Sequence, residues 1–110
     1  EKIKPSKLRD TVLSSLDELK AVDPVTINVK KLATFTDYML IASGTSKRHI
    51  QSMGDKILGD LKEKEIKPLG IEGQETGEWV LIDLGDVVLH LMSAKARSFY
   101  DLESLWDSDL

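Results

Sequence analysis

The chain has 110 residues, of which 41% are hydrophobic and 31% charged, and its formal net charge is −4. This length suits one domain over residues 1–110, and the acidic balance argues against a basic face for nucleic acid or an anionic bilayer. The absence of cysteine excludes disulfides, cysteine-bound metals and thiol nucleophiles. No apolar run approaches the ~18 residues of a membrane helix, so we expect a soluble protein of a reducing compartment.

The first part of the chain is predicted to form one helix and two strands. A stripe of apolar residues predicts a helix that opens at Pro5 and is stopped by Pro24, and its members are Leu8, Val12, Leu16 and Leu19. Residues 25–29 alternate, which predicts a strand. Residues 38–42 are an unbroken apolar run, typical of a strand covered on both faces.

A second helix is predicted next, with Ser46 as its N-cap. Its apolar stripe consists of Ile50, Met53, Ile57, Leu58 and Leu61. Residues 68–72 form a weaker third strand, and the segment that joins it to the second strand is long enough for a parallel crossover. A third helix is predicted to run to the C-terminus with its core side marked by Ala96, Phe99, Leu102 and Trp106.

Residues 79–92 give the strongest hairpin signal, with Gly85-Asp86 as a two-residue turn. One face of this hairpin is wholly aliphatic and is expected to pack on helices, and its pairs are Leu84–Val87, Ile82–Leu89 and Val80–Leu91. The other face, called the front face here, is mixed and consists of Trp79, Leu81, Asp83, Val88, His90 and Met92. If left uncovered, the front face has the composition of a protein interface; if a helix covers it, Trp79 belongs to the core.

The predicted order is α-β-β-α-β-β-β-α, a single α/β domain with a mixed sheet of about five strands and helices packed on it. Two features of the sequence are candidates for ligand or metal binding. The turn Gly44-Thr45-Ser46 precedes a helix and is either an anion-binding turn or a plain turn with an N-cap. Asp83 and Asp86 flank the hairpin turn, where acidic residues more often form turns than bind a divalent ion.

Sequence signals for catalysis are weak. The Gly44 turn is similar to the helix start of the nucleotidyltransferase superfamily, but residues 68–72 lack the paired aspartates that hold magnesium there. His49 and His90 lie on separate predicted elements and do not make a zinc site without cysteine. The chain also lacks a GxSxG nucleophile turn. We therefore expect no catalytic residue, no metal and no cofactor.

Four ordered blocks of the sequence resemble the ribosomal silencing factor family, also called the Iojap family. The first is TDYMLIASGTS with Arg48 and His49 behind it, and the second is PLGIEG. The third is EWVLIDLGDVVLH and the fourth is ARSFYDLESLW. The resemblance spans nearly the whole chain, from Leu8 to Trp106, and four ordered blocks make it far more specific than any single motif.

This resemblance implies an α/β fold of nucleotidyltransferase-like topology with no established enzymatic activity. It implies a translational repressor that binds the large ribosomal subunit through its ribosomal protein fourteen and sterically blocks joining of the small subunit. Organellar relatives act in large-subunit assembly, and members are often homodimers. The resemblance therefore implies a cytoplasmic protein, or one of an organellar matrix. The acidic balance predicts that it binds neither DNA nor membranes.

The partner-binding residues expected from strand alternation and the family blocks lie on the hairpin and the last helix. Trp79 and Leu81 are expected as anchors, Asp83 and Asp86 as acidic partners of lysine or arginine. His90 and Tyr100 are expected to orient these contacts. Two alternatives stay open at this point: a nucleotide-binding protein that uses Gly44, Thr45 and Ser46, and a homodimer whose hairpin face is consumed by self-association.

Overall fold

A computed structural model describes residues 3–106 of the chain. The elements, in chain order, are α1 Pro5–Glu18, β1 Val22–Asn28, β2 Tyr38–Gly44, α2 Lys47–Glu63, β3 Gly70–Glu72, β4 Trp79–Asp83, β5 Val87–Ser93, α3 Ala94–Tyr100 and α4 Leu102–Trp106. The strands form one mixed sheet in the order β1-β2-β5-β4-β3. This arrangement confirms the predicted α/β fold class and five-stranded mixed sheet.

The centre of the sheet is the parallel pair β2–β5, and every other pair is antiparallel. All seven residues of β2 are buried, as its unbroken apolar run predicts. The crossover through α2 leads to β3, which runs parallel to β2 but lies at the far edge of the sheet. The predicted parallel crossover is therefore confirmed in direction, with β5 and β4 lying between its two strands.

The predicted hairpin has the expected register. Trp79 pairs with Met92, Leu81 with His90, and Asp83 with Val88. The aliphatic face of the hairpin, which we call the back face, packs against α1 and α2 and forms the larger core with them. The apolar stripes of α1 and α2 contribute seven buried residues to this core: Leu8, Val12, Leu16, Ile50, Met53, Ile57 and Leu61.

Two helix boundaries differ from the prediction. The first helix ends at Glu18 and not at Pro24, which lies inside β1. Lys20 follows the helix with φ 56°, and Asp23 has φ 45° within an irregular pairing between Val22 and Val25. Proline is tolerated in β1 because this is an edge strand with a bulge, where the missing N–H breaks no ladder.

The predicted C-terminal helix is two helices. Asp101 takes the left-handed conformation, with φ 47° and ψ 52°, and separates α3 from α4. The turn carries Leu102 and Trp106 back onto the sheet, where they pack with Met39, Ile41 and Met92. Phe99, predicted for the core, is 78% exposed because the turn leaves it on the outer side.

The front face is therefore covered in part. Trp79, Ala96, Leu102 and Trp106 pack on a small second core formed by Val29, Met39, Ile41 and Met92. Leu81 and Asp83, nearer the β3 edge, stay partly exposed. Over residues 3–106, no helix combines the length and apolar character needed to cross a bilayer.

Candidate interaction surface

The front face carries a cluster of rings at the point where β4, β5 and α3 meet. The Trp79 ring lies 4.7 Å from the Tyr100 ring and 5.8 Å from the His90 ring, centroid to centroid. Trp79 Nε1 donates a hydrogen bond of 2.9 Å to His90 Nδ1. The structure thus brings together three of the six residues predicted for partner binding.

The hydrogen bond fixes the chemical state of His90. An indole nitrogen can only donate, so Nδ1 of His90 must accept and its ring proton resides on Nε2. His90 is 8% exposed, and this burial lowers its pKa to about 4. His90 is therefore a neutral, buried support for the Trp79 ring, and its predicted role in orienting partner contacts stays a prediction.

The other predicted residues lie further along the hairpin. Leu81 pairs with His90 across the strands and is partly exposed. Asp83 Oδ1 accepts from the Gly85 N–H at 2.9 Å, a turn-forming contact that leaves its second oxygen to other partners. The carbonyl of Asp86 accepts from the N–H groups of Asp37 and Tyr38, so Asp86 also joins the hairpin turn to β2.

Arg97 holds the two short helices in place and was not predicted to do so. Its Nε donates to Glu103 in α4 at 2.6 Å, and its Nη1 donates to Ser43 Oγ at 3.1 Å and to the Val22 carbonyl at 3.2 Å. The side chain is 13% exposed. The sequence pattern places Arg97 on the solvated side of a single helix. The break at Asp101 brings Glu103 of α4 within reach of its guanidinium.

Five of the six aromatic residues lie on this side of the sheet. The Tyr100 ring contacts both Trp79 and Phe99, and Phe35 meets Trp106 edge-on at 6.0 Å. The sixth, Tyr38, belongs to the back-face core. Phe35 and Phe99 were missed as surface residues because an isolated apolar residue in a sequence does not reveal its exposure.

The Gly44-Thr45-Ser46 turn is held by its own helix. Ser46 Oγ caps α2 by accepting from the His49 N–H at 3.0 Å, which confirms the predicted N-cap. The Thr45 N–H donates to His49 Nδ1 at 2.9 Å, and His49 Nε2 lies 2.7 Å from the Leu19 carbonyl. These contacts engage two of the amides that an anion would use, and anion binding at this turn stays a prediction.

The part of the chain that the structure describes holds no group of three or more histidine or acidic side chains placed to bind a metal ion. Its features define a small α/β domain that presents rings and carboxylates on one side of its sheet. The model of the family described as ribosomal silencing factor during starvation matches residues 2–110. The chain belongs to this family, whose description names ribosome silencing, a regulatory role.

Individual relatives agree with this membership. The chain is 36% identical to the ribosomal silencing factor of Haemophilus influenzae over 99 residues, which cover 90% of this chain and 97% of that protein. It is 37% identical over 100 residues to the mouse protein named mitochondrial assembly of ribosomal large subunit protein 1, covering 88% of this chain and 44% of the mouse protein. A crystal structure of a protein from Chromobacterium violaceum superposes with a TM-score of 0.92 at 34% identity, covering 94% of this chain and 87% of that one.

Proposed function

We propose that this protein is a translational repressor that binds the large ribosomal subunit through ribosomal protein fourteen and blocks joining of the small subunit. Family membership supports a role on the ribosome. The mechanism is steric, because a protein bound where the small subunit must dock prevents docking without any chemical step. We therefore propose no enzymatic activity, and residence in the cytoplasm or, for an organellar relative, in the organellar matrix.

The observation that carries this proposal is the half-covered ring cluster of Trp79 and Tyr100 on the front face of an acidic chain. Aromatic side chains with few rotamers bury much area at low entropic cost, which is why interfaces favour them. Ribosomal proteins that bind RNA are basic, so an acidic partner gains both on-rate and orientation from complementary charge. The same acidity disfavours direct binding to RNA or DNA.

Roles follow from the position of each residue. Trp79 and Leu81 supply the apolar contact, with Tyr100 packed on the Trp79 ring. Asp83 and Asp86 pair with lysine or arginine of the ribosomal protein. His90 does not contact the partner; its hydrogen bond to Trp79 sets the orientation of the indole ring.

The direct test is co-sedimentation of the purified protein with isolated large subunits, small subunits and joined ribosomes. We expect co-migration with large subunits alone, and a lower yield of joined ribosomes when the protein is added before the small subunit. Binding to none of the three fractions contradicts the proposal.

Asp83→Asn is the sharpest variant because the asparagine Oδ1 still accepts from Gly85 while the charge is lost. We expect large-subunit affinity to fall by about 1–2 kcal/mol with a weaker salt dependence. Asp55→Asn makes the same change on an exposed position of α2 and serves as the matched control. Equal affinities for the two variants would remove Asp83 from the binding surface.

Trp79 needs two variants because its removal unpairs buried His90. Trp79→Phe keeps a smaller apolar ring and loses the indole N–H, whereas Trp79→Ala loses the ring and the N–H. If Trp79 is an anchor, Trp79→Ala weakens subunit binding by about 2 kcal/mol or more and Trp79→Phe by less. Unchanged affinity of a folded Trp79→Ala protein would assign Trp79 to the core or to a dimer contact.

We further propose that the free protein is a homodimer. If the dimer uses the front face, a second copy of the chain and the ribosomal protein compete for that surface. Mass measured over a dilution series, for the wild type and for Trp79→Ala, tests this point. A dimer abolished by the variant, together with lost subunit binding, means that one surface serves both partners. A dimer that survives the variant leaves the front face free for the ribosome.

A role in large-subunit assembly is the second candidate, and the name of the mouse relative favours it. Depletion of the protein from cells distinguishes the two roles. Loss of an assembly factor leaves precursor particles, whereas loss of a repressor leaves mature subunits that join too readily.

Nucleotide binding at Gly44 is tested by thermal unfolding with nucleotide and magnesium, since a ligand at 100 times its Kd adds about 2.7 kcal/mol to the stability of the folded protein.

A further inference from the structure

The ring cluster extends beyond the residues of the proposed binding surface. Phe99 meets Tyr100 edge-on at 5.0 Å, and Tyr100 lies 4.7 Å from Trp79, which lies 5.8 Å from His90. Exposure rises along this series from 8% at His90 to 53% at Tyr100 and 78% at Phe99. The four rings, called the ring ladder here, connect the sheet interior to Phe99, the most exposed large hydrophobic side chain of the described residues.

Hydrogen bonds fix the backbone that carries the two outer rings of the ladder. The Asp101 N–H donates to the Arg97 carbonyl, which closes the end of α3 directly after Phe99 and Tyr100. Arg97 in turn is bonded to Glu103. Since the surrounding turn is already fixed, a partner that packs on these rings loses little conformational entropy of the backbone.

Carboxylates outnumber exposed cationic groups at the end of α3 and on the front face of β3 and β4. Asp101 follows Tyr100 in the chain, and Asp83 lies on the front face of β4 with Trp79. Glu72 is exposed on β3 and pairs with Leu81, which places it on the same face. Against these three carboxylates, α3 offers one exposed lysine, Lys95, because its second cation, Arg97, is paired with Glu103. A cationic group therefore fits this surface better than an anionic or a neutral one.

Resting on the proposed function, we propose that Phe99 and Tyr100 form a site for an arginine side chain of the ribosomal protein partner. The guanidinium lies against the exposed rings and is attracted to their π faces, and its charge is balanced by Asp101 and Glu72 at the rim. Arginine suits this site better than lysine because its planar group stacks on aromatic rings and is less strongly hydrated.

The test compares three replacements of Phe99 by their affinity for isolated large subunits. Phe99→Ala and Phe99→Leu each weaken binding about ten-fold, because both lose the ring, whereas Phe99→Tyr keeps wild-type affinity. Since Phe99 is exposed, all three variants keep the wild-type midpoint of thermal unfolding, which is measured in parallel. Glu72→Gln reduces the dependence of affinity on salt concentration.

Phe35→Ala is the matched control, since Phe35 is also an exposed phenylalanine but lies beside Trp106, outside the ladder. It leaves affinity unchanged. Wild-type affinity of Phe99→Ala overturns the arginine site while the proposed function stands. Wild-type affinity of Phe99→Leu shows that only apolar area matters, and it also overturns the site. Failure of the wild-type protein to bind large subunits overturns the proposed function and this inference with it.

Discussion

Acidification is expected to destabilise this protein through His90. The folded protein needs His90 neutral, because Nδ1 accepts the Trp79 indole N–H and the ring is buried. Burial lowers its pKa to about 4 from an ordinary value of 6.5. Between these two values the unfolded chain holds a proton that the folded chain does not, so stability is complete at neutral pH and falls as the pH falls through this window.

The size of the effect follows from the shift. A change of pKa from 6.5 to about 4 corresponds to about 3 kcal/mol at full protonation. About 2 kcal/mol of this is lost already at pH 5, where the unfolded-state imidazole is mostly charged. This is a large share of the total stability of a small domain.

The assay is urea unfolding at pH 7 and pH 5 for the wild type and for His90→Gln, which cannot titrate. We expect the wild type to lose about 2 kcal/mol more than the variant over this interval. His49→Gln removes the other histidine, outside the ring cluster, and serves as the control that keeps the His90 contribution. Parallel losses in the wild type and in His90→Gln would refute the buried neutral state of His90.

Substitutions at three further positions test the packing and the backbone. Gly44→Ala places a Cβ 2.5 Å from Ile50 Cγ1, so we expect overpacking to cost about 1–3 kcal/mol in urea unfolding. Arg97→Met loses the hydrogen bonds to Glu103, to Ser43 and to a backbone carbonyl, and should lower the free energy of unfolding by about 2 kcal/mol; an unchanged midpoint would contradict its anchoring role. Asp101→Gly relieves the left-handed backbone and should change stability by less than about 1 kcal/mol, whereas Asp101→Val should lower the melting temperature.

The hairpin could be predicted from the sequence because its determinants are local. Alternating aliphatic residues on both sides of Gly85 allow one register that buries a whole face, and a slip by one residue would expose that face. The same reasoning predicts the front-face rows, and the structure places Trp79 and His90 together as neighbours on paired strands.

The arrangement of the C-terminal helices could not be predicted in this way. The spacing of Phe99, Leu102 and Trp106 is helical throughout, and an aspartate at position 101 is compatible with a continuous helix. The break is stabilised by tertiary contacts, above all those of Arg97 with the ends of two strands. A tertiary contact of this kind has no signature in a local sequence pattern. The exposure of Phe99 and the anchoring role of Arg97 could therefore not be predicted from the sequence.

The parallel pairing of β2 with β5 has a consequence for how the chain folds. Tyr38 pairs with Val87, about 50 residues later in the chain, so the central pair closes only after a long loop has been ordered. Until β5 is available, β2 presents its apolar side chains and an unpaired edge. A truncated chain that ends before β5 should therefore aggregate or be degraded, and folding should be slowed by substitutions in β5 more than by those in β1.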